Sequence, residues 1–341
     1  MKPKLLTAHC SLLTGKRNLL AFSAGVDSSA LFFLLVENDI PFDIALVNYG
    51  VREASDSEEA HAKALAERYQ KKCFTVKAPL FKAHFEANAR EFRYRFFEEI
   101  IRKEGYEVLL TAHQLNDQLE WLLMRLSKGA GLSGLLGLQE SSDKRDYKIV
   151  RPLLEVSKEE LLEYLESNGY PYFLDESNRE MKYERNYFRQ RYSDPLIAEF
   201  KEGIKRSIRY LKEDLKRLEG QFELLYADRE LRLVKLHSME AKVQAVDITL
   251  KELGYLMSAA QRQEIVKSGS LVVGGKWAIE LQGNLLYAAP YSTIDMPKAF
   301  REQCRAAKIP AKIRPYLFKE EMDIFFGNHG STRGSTPADE N

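Results

Sequence analysis

Leu19-Leu20-Ala21-Phe22-Ser23-Ala24-Gly25-Val26-Asp27-Ser28-Ser29 joins an apolar run to a loop of small residues, which leads into Ala30-Leu31-Phe32-Phe33-Leu34-Leu35-Val36. The spacing predicts a buried strand, a loop and a buried helix. Small side chains let backbone N–H groups close around a phosphate, and a helix start adds unpaired donors and a favourable dipole. Ser23 and Ser28 supply hydroxyl donors, and Asp27 is of the right type to hold Mg2+ beside phosphates. The loop lacks the lysine of GxxxxGK(S/T), so it is a different phosphate site from that one. An ordinary Ser- and Gly-rich turn is the competing reading of these residues alone.

Working outward, strand-like runs at Leu19–Phe22, Phe42–Val47, Cys73–Val76, Val108–Thr111 and Lys148–Val150 alternate with helical patterns. The helices are expected near Ser28–Glu37, Ser57–Lys71, Phe85–Glu104 and Leu115–Ser127. This alternation predicts an α/β fold, a doubly wound parallel sheet with helices on both faces. Ligands bind beyond the carboxyl ends of such strands. Three candidate segments fall at such ends: Ser23–Ser28, Asn48-Tyr49-Gly50 and Thr111-Ala112-His113.

Ser157-Lys158-Glu159-Glu160 reads as a capping box, with Gly169 as the stop of its helix. Asp194-Pro195 opens a long amphipathic stretch, expected to be helical over Leu196–Tyr226 and to link a second domain. That domain reads as a smaller α+β module, helical at 260–266 and with strands at Ser270–Val273, Trp277–Leu281 and Leu285–Ala288. The expected division is 1–194, 195–328 and a disordered tail over 329–341.

Length, 341 residues, and 45% apolar content suit a multi-domain globular protein. No apolar run is long enough for a membrane span, and the N-terminal residues lack the h-region of a signal peptide. Three cysteines with no CxxC pair argue against a disulfide framework or a cysteine-held metal and fit a reducing cytoplasm. The net charge of +1 conceals basic blocks. Pro297–Lys319 holds 7 Lys/Arg against 1 acid, with Phe300, Tyr316 and Phe318 interleaved, a mixture suited to RNA phosphates and unpaired bases. Arg179–Arg217 holds 12 against 7, which a solvated helix face explains equally well.

Other clusters carry chemical options. His113 precedes Asp117 and Glu120, three apart on one helix face, a set that suits Mg2+, an amine or proton transfer, or else a helix start with acids placed for the dipole. Arg90 and Arg93 lie on adjacent turns, while Gly129–Leu138 is a glycine-rich loop that suits a lid or a plain connection. Asp175-Glu176-Ser177-Asn178 precedes Arg185 and Arg189.

The loop resembles the SGGxDS loop of ATP pyrophosphatases. The ordered series SAGVDS at Ser23, VNYGVR at Val47, NAREFRY at Asn88, TAHQLNDQLE at Thr111, KGAGLSGLLGL at Lys128, RPLL at Arg151 and DESN…RN at Asp175 is similar to that of the tRNA(Ile)-lysidine synthetases. The likeness covers about 15–192 and resumes more weakly to AKIPAKIR, residues 307–314. It implies ATP binding by Ser23, Ala24, Gly25, Val26, Asp27 and Ser28, Mg2+ at Asp27 and Asp117, and catalytic roles for His113, Asp117, Glu120, Arg93 and Arg185. Its implied partners are an isoleucine tRNA, met at the anticodon loop, and free L-lysine; a homodimer is left open. A related tRNA thiolase and a non-catalytic nucleotide- or RNA-binding module are the alternatives. Four positions depart from the family pattern: Ala24 for glycine, Tyr49 for histidine, Asn116 for the first acid of a DD pair, and Trp121 for threonine. Ala24 fits only if its φ stays negative.

Overall fold

A computed structural model describes residues 12–50, 54–81, 85–144, 146–174 and 184–322. The Asp175–Asn178 segment and the 329–341 tail of the sequence reading lie outside these. The chain divides into two compact units. One runs to Lys128 and resumes over Leu135–Tyr210; the other takes Gly129–Gly134 and the chain from Leu211 onward. The first unit thus continues past the boundary expected at 194.

In the first unit, β1 (Asn18–Ala21), α1 (Val26–Glu37), β2 (Phe42–Asn48), α2 (Ala54–Arg68), β3 (Cys73–Lys77), α3 (Phe85–Glu104), β4 (Val108–Leu110) and α4 (Leu115–Leu126) alternate. After a single helical turn, α5 (Leu132–Leu135), whose first three residues belong to the second unit, come β5 (Ser141–Asp143), β6 (Lys148–Val150) and α6 (Lys158–Ser167). The sheet order is β3-β2-β1-β4-β6-β5, parallel throughout except for β5. The fold expectation holds, with one addition: an antiparallel edge strand, polar and largely exposed, that no apolar run announced.

Central strands read as continuous apolar runs because both faces are covered. Leu19 and Leu20 are fully buried on opposite faces: Leu31, Phe32, Phe33, Leu34 and Leu35 of α1 share a core with Leu20, and Phe97, Ile100 and Ile101 of α3 share another with Leu19. The capping box is present: the Glu160 N–H donates to Ser157 Oγ at 3.3 Å and the Ser157 N–H to Glu160 Oε2 at 2.8 Å. Gly169 ends that run at φ 64°, a conformation that favours glycine.

Helix α7 (Glu184–Phe188) passes through a π-helical turn, Arg189–Ser193, into α8 (Asp194–Glu219), which is kinked at Phe200. Here the expected helix ends early. Gly220 stops it, and Phe222–Asp228 is strand β7, where the sequence reading carried the helix to Tyr226.

The second unit is a five-stranded antiparallel sheet in the order β7-β8-β11-β10-β9. It adds β8 (Leu231–Leu236), α9 (Lys242–Glu252) and α10 (Ala259–Lys267) ahead of the three expected strands, β9 (Ser270–Val273), β10 (Trp277–Gln282) and β11 (Leu285–Pro290). The basic 297–319 block forms α11 (Lys298–Ala306) and α12 (Arg314–Lys319). Its rings do not stand free for bases. Tyr316 is buried and accepts from the Glu230 N–H, and Phe300 packs on Phe318 with centroids 5.0 Å apart.

Candidate active site

The strand order reverses between β1 and β4: β2 and β3 extend to one side, β6 and β5 to the other. That switch point is where open parallel sheets receive ligands. Beyond the end of β1 lies Ser23–Ser28, beyond β2 lies Asn48–Gly50, and beyond β4 lies Thr111–His113, so the three segments share one rim.

The loop after β1 is held from within and left open at its helix start. Ser23 Oγ lies 3.1 Å from Ser28 Oγ, the Ser23 N–H donates to Ser28 Oγ at 3.2 Å, and Ser28 Oγ donates to the Gly25 carbonyl at 3.2 Å. Gly25 caps α1 with no side-chain bond to the first-turn N–H groups, which is the arrangement that receives anions. Its φ is −76°, and an added Cβ would touch only Ser23 Oγ at 3.6 Å, so nothing in the chain's own packing demands glycine there.

Ala24 corrects the sequence expectation. Its φ is 57°, in the left-handed region, where an L side chain costs about 1–2 kcal/mol. The surroundings hold it there: its carbonyl accepts from the Phe173 N–H at 2.9 Å and from Ser29 Oγ at 3.2 Å, and its methyl is fully buried.

Asp27 sits one residue into α1 with its Oδ1 buried and unpartnered. Burial, reinforced by the charge of Asp117 and only partly offset by Lys158, Arg189 and Arg185, pushes its carboxyl up to about 7. A buried, orphaned carboxylate oxygen that feels the charge of a second carboxylate fits a divalent cation, and Mg2+ needs only one or two carboxylates besides phosphates and water. Among the described residues no cluster of three or more His, Cys, Asp or Glu suits a metal, so a fully protein-ligated centre is not what this site resembles.

Helix α4 starts at the carboxyl end of β4 with Gln114 as its cap. The Asn116 N–H donates to Gln114 Oε1 at 2.5 Å and the Gln114 N–H to Asp117 Oδ2 at 3.1 Å. This fixes Asp117, while Glu120, one turn on, shares its face. Both are buried, at 6% and 2% exposure. Two arginines bridge them. Arg185 Nη2 lies 2.8 Å from Asp117 Oδ1, and Arg185 Nε donates to Glu120 Oε1. Arg189 Nη2 reaches Asp117 Oδ1 at 3.2 Å and Arg189 Nε reaches Glu120 Oε2 at 3.0 Å.

The two acids titrate in opposite directions. Burial opposes ionisation of Asp117, but Arg185, His113 and Arg189 outweigh it and hold its carboxyl below the ordinary range. For Glu120 burial prevails over Arg185 and Arg189, and the carboxyl rises. His113, half-buried with Nδ1 3.0 Å from Thr111 Oγ1, falls to about 4 chiefly through burial and is neutral at pH 7.

The remaining candidates are placed as follows. Arg93 faces Tyr49, whose hydroxyl it hydrogen-bonds; Arg90, one turn earlier, is the arginine of α3 whose charge reaches His113. Tyr49 also donates to the Ala89 carbonyl at 3.2 Å, so the residue replacing histidine is tied to α3. Asn116 bonds Asp194 Oδ1 at 2.7 Å and accepts from the Lys158 N–H at 3.2 Å, a structural link between segments. Trp121 packs against Gly137, where a Cβ would meet its ring at 2.5 Å. Arg189, which the likeness to the family gives no role, joins Arg185 at the acid pair, and their i, i+4 spacing puts both on one helical face.

A parallel sheet with an uncapped helix start at its switch point, an aspartate with an unpartnered buried oxygen and a buried acid–arginine cluster is a layout suited to a nucleotide-using domain. Residues 3–196 match the family model described as the PP-loop domain. The chain is 47% identical over 308 residues to a tRNA(Ile)-lysidine synthase of Wolinella succinogenes, covering 90% of this chain and 94% of that protein. It is 45% identical over 315 residues to one of Campylobacter jejuni (92% and 96% covered), and 39% identical over 315 residues to one of Helicobacter pylori (92% of each). Among solved structures, U34-tRNA thiolase NcsA from Methanococcus maripaludis aligns at TM-score 0.52 and 20% identity, covering 72% of this chain and 84% of that one, a likeness of fold. The chain belongs to the tRNA(Ile)-lysidine synthases, a family of ligases that use ATP.

Proposed function

We propose that the protein joins free L-lysine to C2 of the wobble cytidine of an isoleucine tRNA through an adenylated tRNA, giving lysidine, AMP and pyrophosphate. The observation that carries this reading is the juxtaposition of an open phosphate loop with a buried acid pair held in two different protonation tendencies.

Ser23–Ser28 receives the ATP phosphates through the first-turn N–H groups of α1 and the two serine hydroxyls. Asp27 and Asp117 would hold Mg2+, which when bound neutralises the phosphate oxygens and the leaving pyrophosphate. The C2 oxygen of cytosine attacks the α-phosphorus, pyrophosphate leaves, and the base becomes an O-adenylate. Arg185 faces the developing charge from its bridging position, with Arg189 behind it. Arg93, bonded to Tyr49, is assigned a place at the tRNA side of the rim.

The second step has a physical demand. An amine of pKa about 10.4 is neutral at pH 7 only at a cost of roughly 4–5 kcal/mol. A carboxylate that merely pairs with the ammonium makes attack harder, so one acid must accept the proton. Glu120, pushed upward, is the better acceptor; Asp117, held low, is the better cation ligand. The amine attacks C2, AMP departs, and the proton passes to Glu120. Neutral His113 is placed to donate to or accept from the cytosine edge. The second unit, with its basic α11 and α12, holds the tRNA.

The deciding experiment supplies ATP, Mg2+, radiolabelled lysine and an isoleucine tRNA carrying a wobble cytidine. Pyrophosphate release with lysine entering the tRNA is expected; absence of lysine incorporation overturns the reading.

A further inference from the structure

The acid pair and its two arginines neutralise one another. Two other guanidinium groups near His113 have no carboxylate partner among the described residues. Arg151 directly follows β6, opposite Thr111 at the end of β4: Leu110 pairs with Val150, and the Thr111 N–H donates to the Val150 carbonyl at 3.0 Å. Thr111 in turn contacts His113.

Arg151 is 8% exposed. Its Nη1 donates to the Gln139 carbonyl at 2.8 Å and to Ser142 Oγ at 3.3 Å, while its Nε is buried with no partner. A buried cation balanced only by neutral acceptors is costly unless an anion arrives. Arg90 lies exposed on α3 with Cζ 4.8 Å from the Tyr94 ring centroid, and its charge reaches both Arg151 and His113. Among the described residues, Arg151 is thus a buried cation with no counter-ion at the end of β6, and Arg90 a second unpaired cation on α3. His113 marks the junction: Asp117 acts on it with one sign, and Arg151, Arg185 and Arg90 with the other.

We propose that Arg151 and Arg90 receive the α-carboxylate of the free amino acid while its ε-amine is delivered to Asp117 and Glu120. This assignment rests on the lysine-transfer reading above. Free lysine is charged oppositely at its two ends, and the site offers carboxylates to one and unneutralised guanidinium groups to the other. An RNA phosphate is the other anion available, but it carries a ribose on each side, and Arg151 is only 8% exposed.

The test uses the full chain with ATP, Mg2+ and tRNA, and compares lysine with 1,5-diaminopentane, which presents the same amine without the carboxylate. The ratio of kcat/KM for the two is internal to each variant, so a loss of folded protein cancels. Wild-type protein is expected to favour lysine by about a hundredfold, as two charge-assisted contacts imply. Arg151→Gln and Arg90→Gln should each lower that preference about tenfold by raising KM for lysine, and Arg151→Lys should keep part of it. A preference unchanged in both glutamine variants overturns the carboxylate site, and a rise in KM for tRNA in its place gives these cations to RNA phosphate. Failure of wild-type protein to transfer lysine at all would overturn the parent reading and this one with it. Normal transfer with an unchanged ratio overturns only this one.

Discussion

The loop after β1 and the cluster on α4 lie at adjacent strand ends and are bonded in opposite ways. In the loop, the start of α1 has no side-chain cap, Asp27 Oδ1 has no partner, and Ala24 holds a left-handed backbone. In the cluster, Asp117 and Glu120 are each bridged by both Arg185 and Arg189. The loop is arranged to gain bonds from a ligand, and the cluster must exchange bonds it already has. On the proposed reading, phosphate binding and the chemistry of the base and amine place different demands on one rim. A preformed, under-bonded loop binds without rearrangement. A neutralised cluster keeps buried carboxylates ionisable until a cationic substrate competes for them.

The sharpest break comes from Asp117→Asn, which keeps the shape and removes the charge that both regions share. Lysine incorporation should fall by at least about a thousandfold, with tRNA retention on a filter nearly unchanged. A fully active variant would remove Asp117 from the chemistry. Arg189→Met tests whether the cluster's bonds are structural as well. Its side chain is 14% exposed, and its loss leaves two buried carboxylates sharing Arg185. Urea unfolding should show a loss of about 2–3 kcal/mol. A loss below about 1 kcal/mol would mean that Arg185 alone suffices.

The loop was far more legible in the sequence than the cluster. Strand, turn and helix follow from one continuous apolar run broken by small residues, because a parallel strand buried on both faces leaves that pattern. Asp117 and Glu120 could be placed on one helix face by spacing. Their partners could not, because Arg185 and Arg189 come from distant sequence, and a turn rich in arginine reads equally as a solvated surface. The π-helical turn that begins at Arg189 has no sequence signature here. Strand β7 was missed because Phe222-Glu223-Leu224-Leu225-Tyr226 continues the charged, amphipathic composition of α8, and the break at Gly220 was read as part of the helix. The rings near Arg314 failed for the opposite reason: composition suggested bases, but the small antiparallel unit takes Tyr316 into its core and packs Phe300 against it.

His113 directly precedes the cluster's helix and reports on its burial through pH. Its folded pKa, about 4, lies below the ordinary value near 6.5. Between those values the unfolded chain binds the extra proton, so stability falls as pH drops from 6.5 toward 4 and is unaffected above. The contribution between pH 7 and pH 5 should be about 2 kcal/mol. His113→Gln should flatten that part of the stability profile relative to wild type. Parallel profiles would mean that the imidazole titrates freely in the folded protein.

The smallest effect belongs to Ala24, and it separates strain from function in the loop. Its φ of 57° suits glycine, yet its methyl is fully buried and its carbonyl holds both Phe173 and Ser29. Ala24→Gly relieves about 1–2 kcal/mol of backbone strain and gives back roughly 0.5–1 kcal/mol through the greater freedom of the unfolded chain. The net change should lie between zero and a gain of about 1.5 kcal/mol in unfolding free energy, with KM for ATP unmoved on the proposed reading that serine hydroxyls and the first-turn N–H groups of α1 hold the phosphates. A weaker KM for ATP without a change in stability would show that the methyl shapes the phosphate cradle itself. The left-handed alanine would then belong to the under-bonded side of the site as a working part of it.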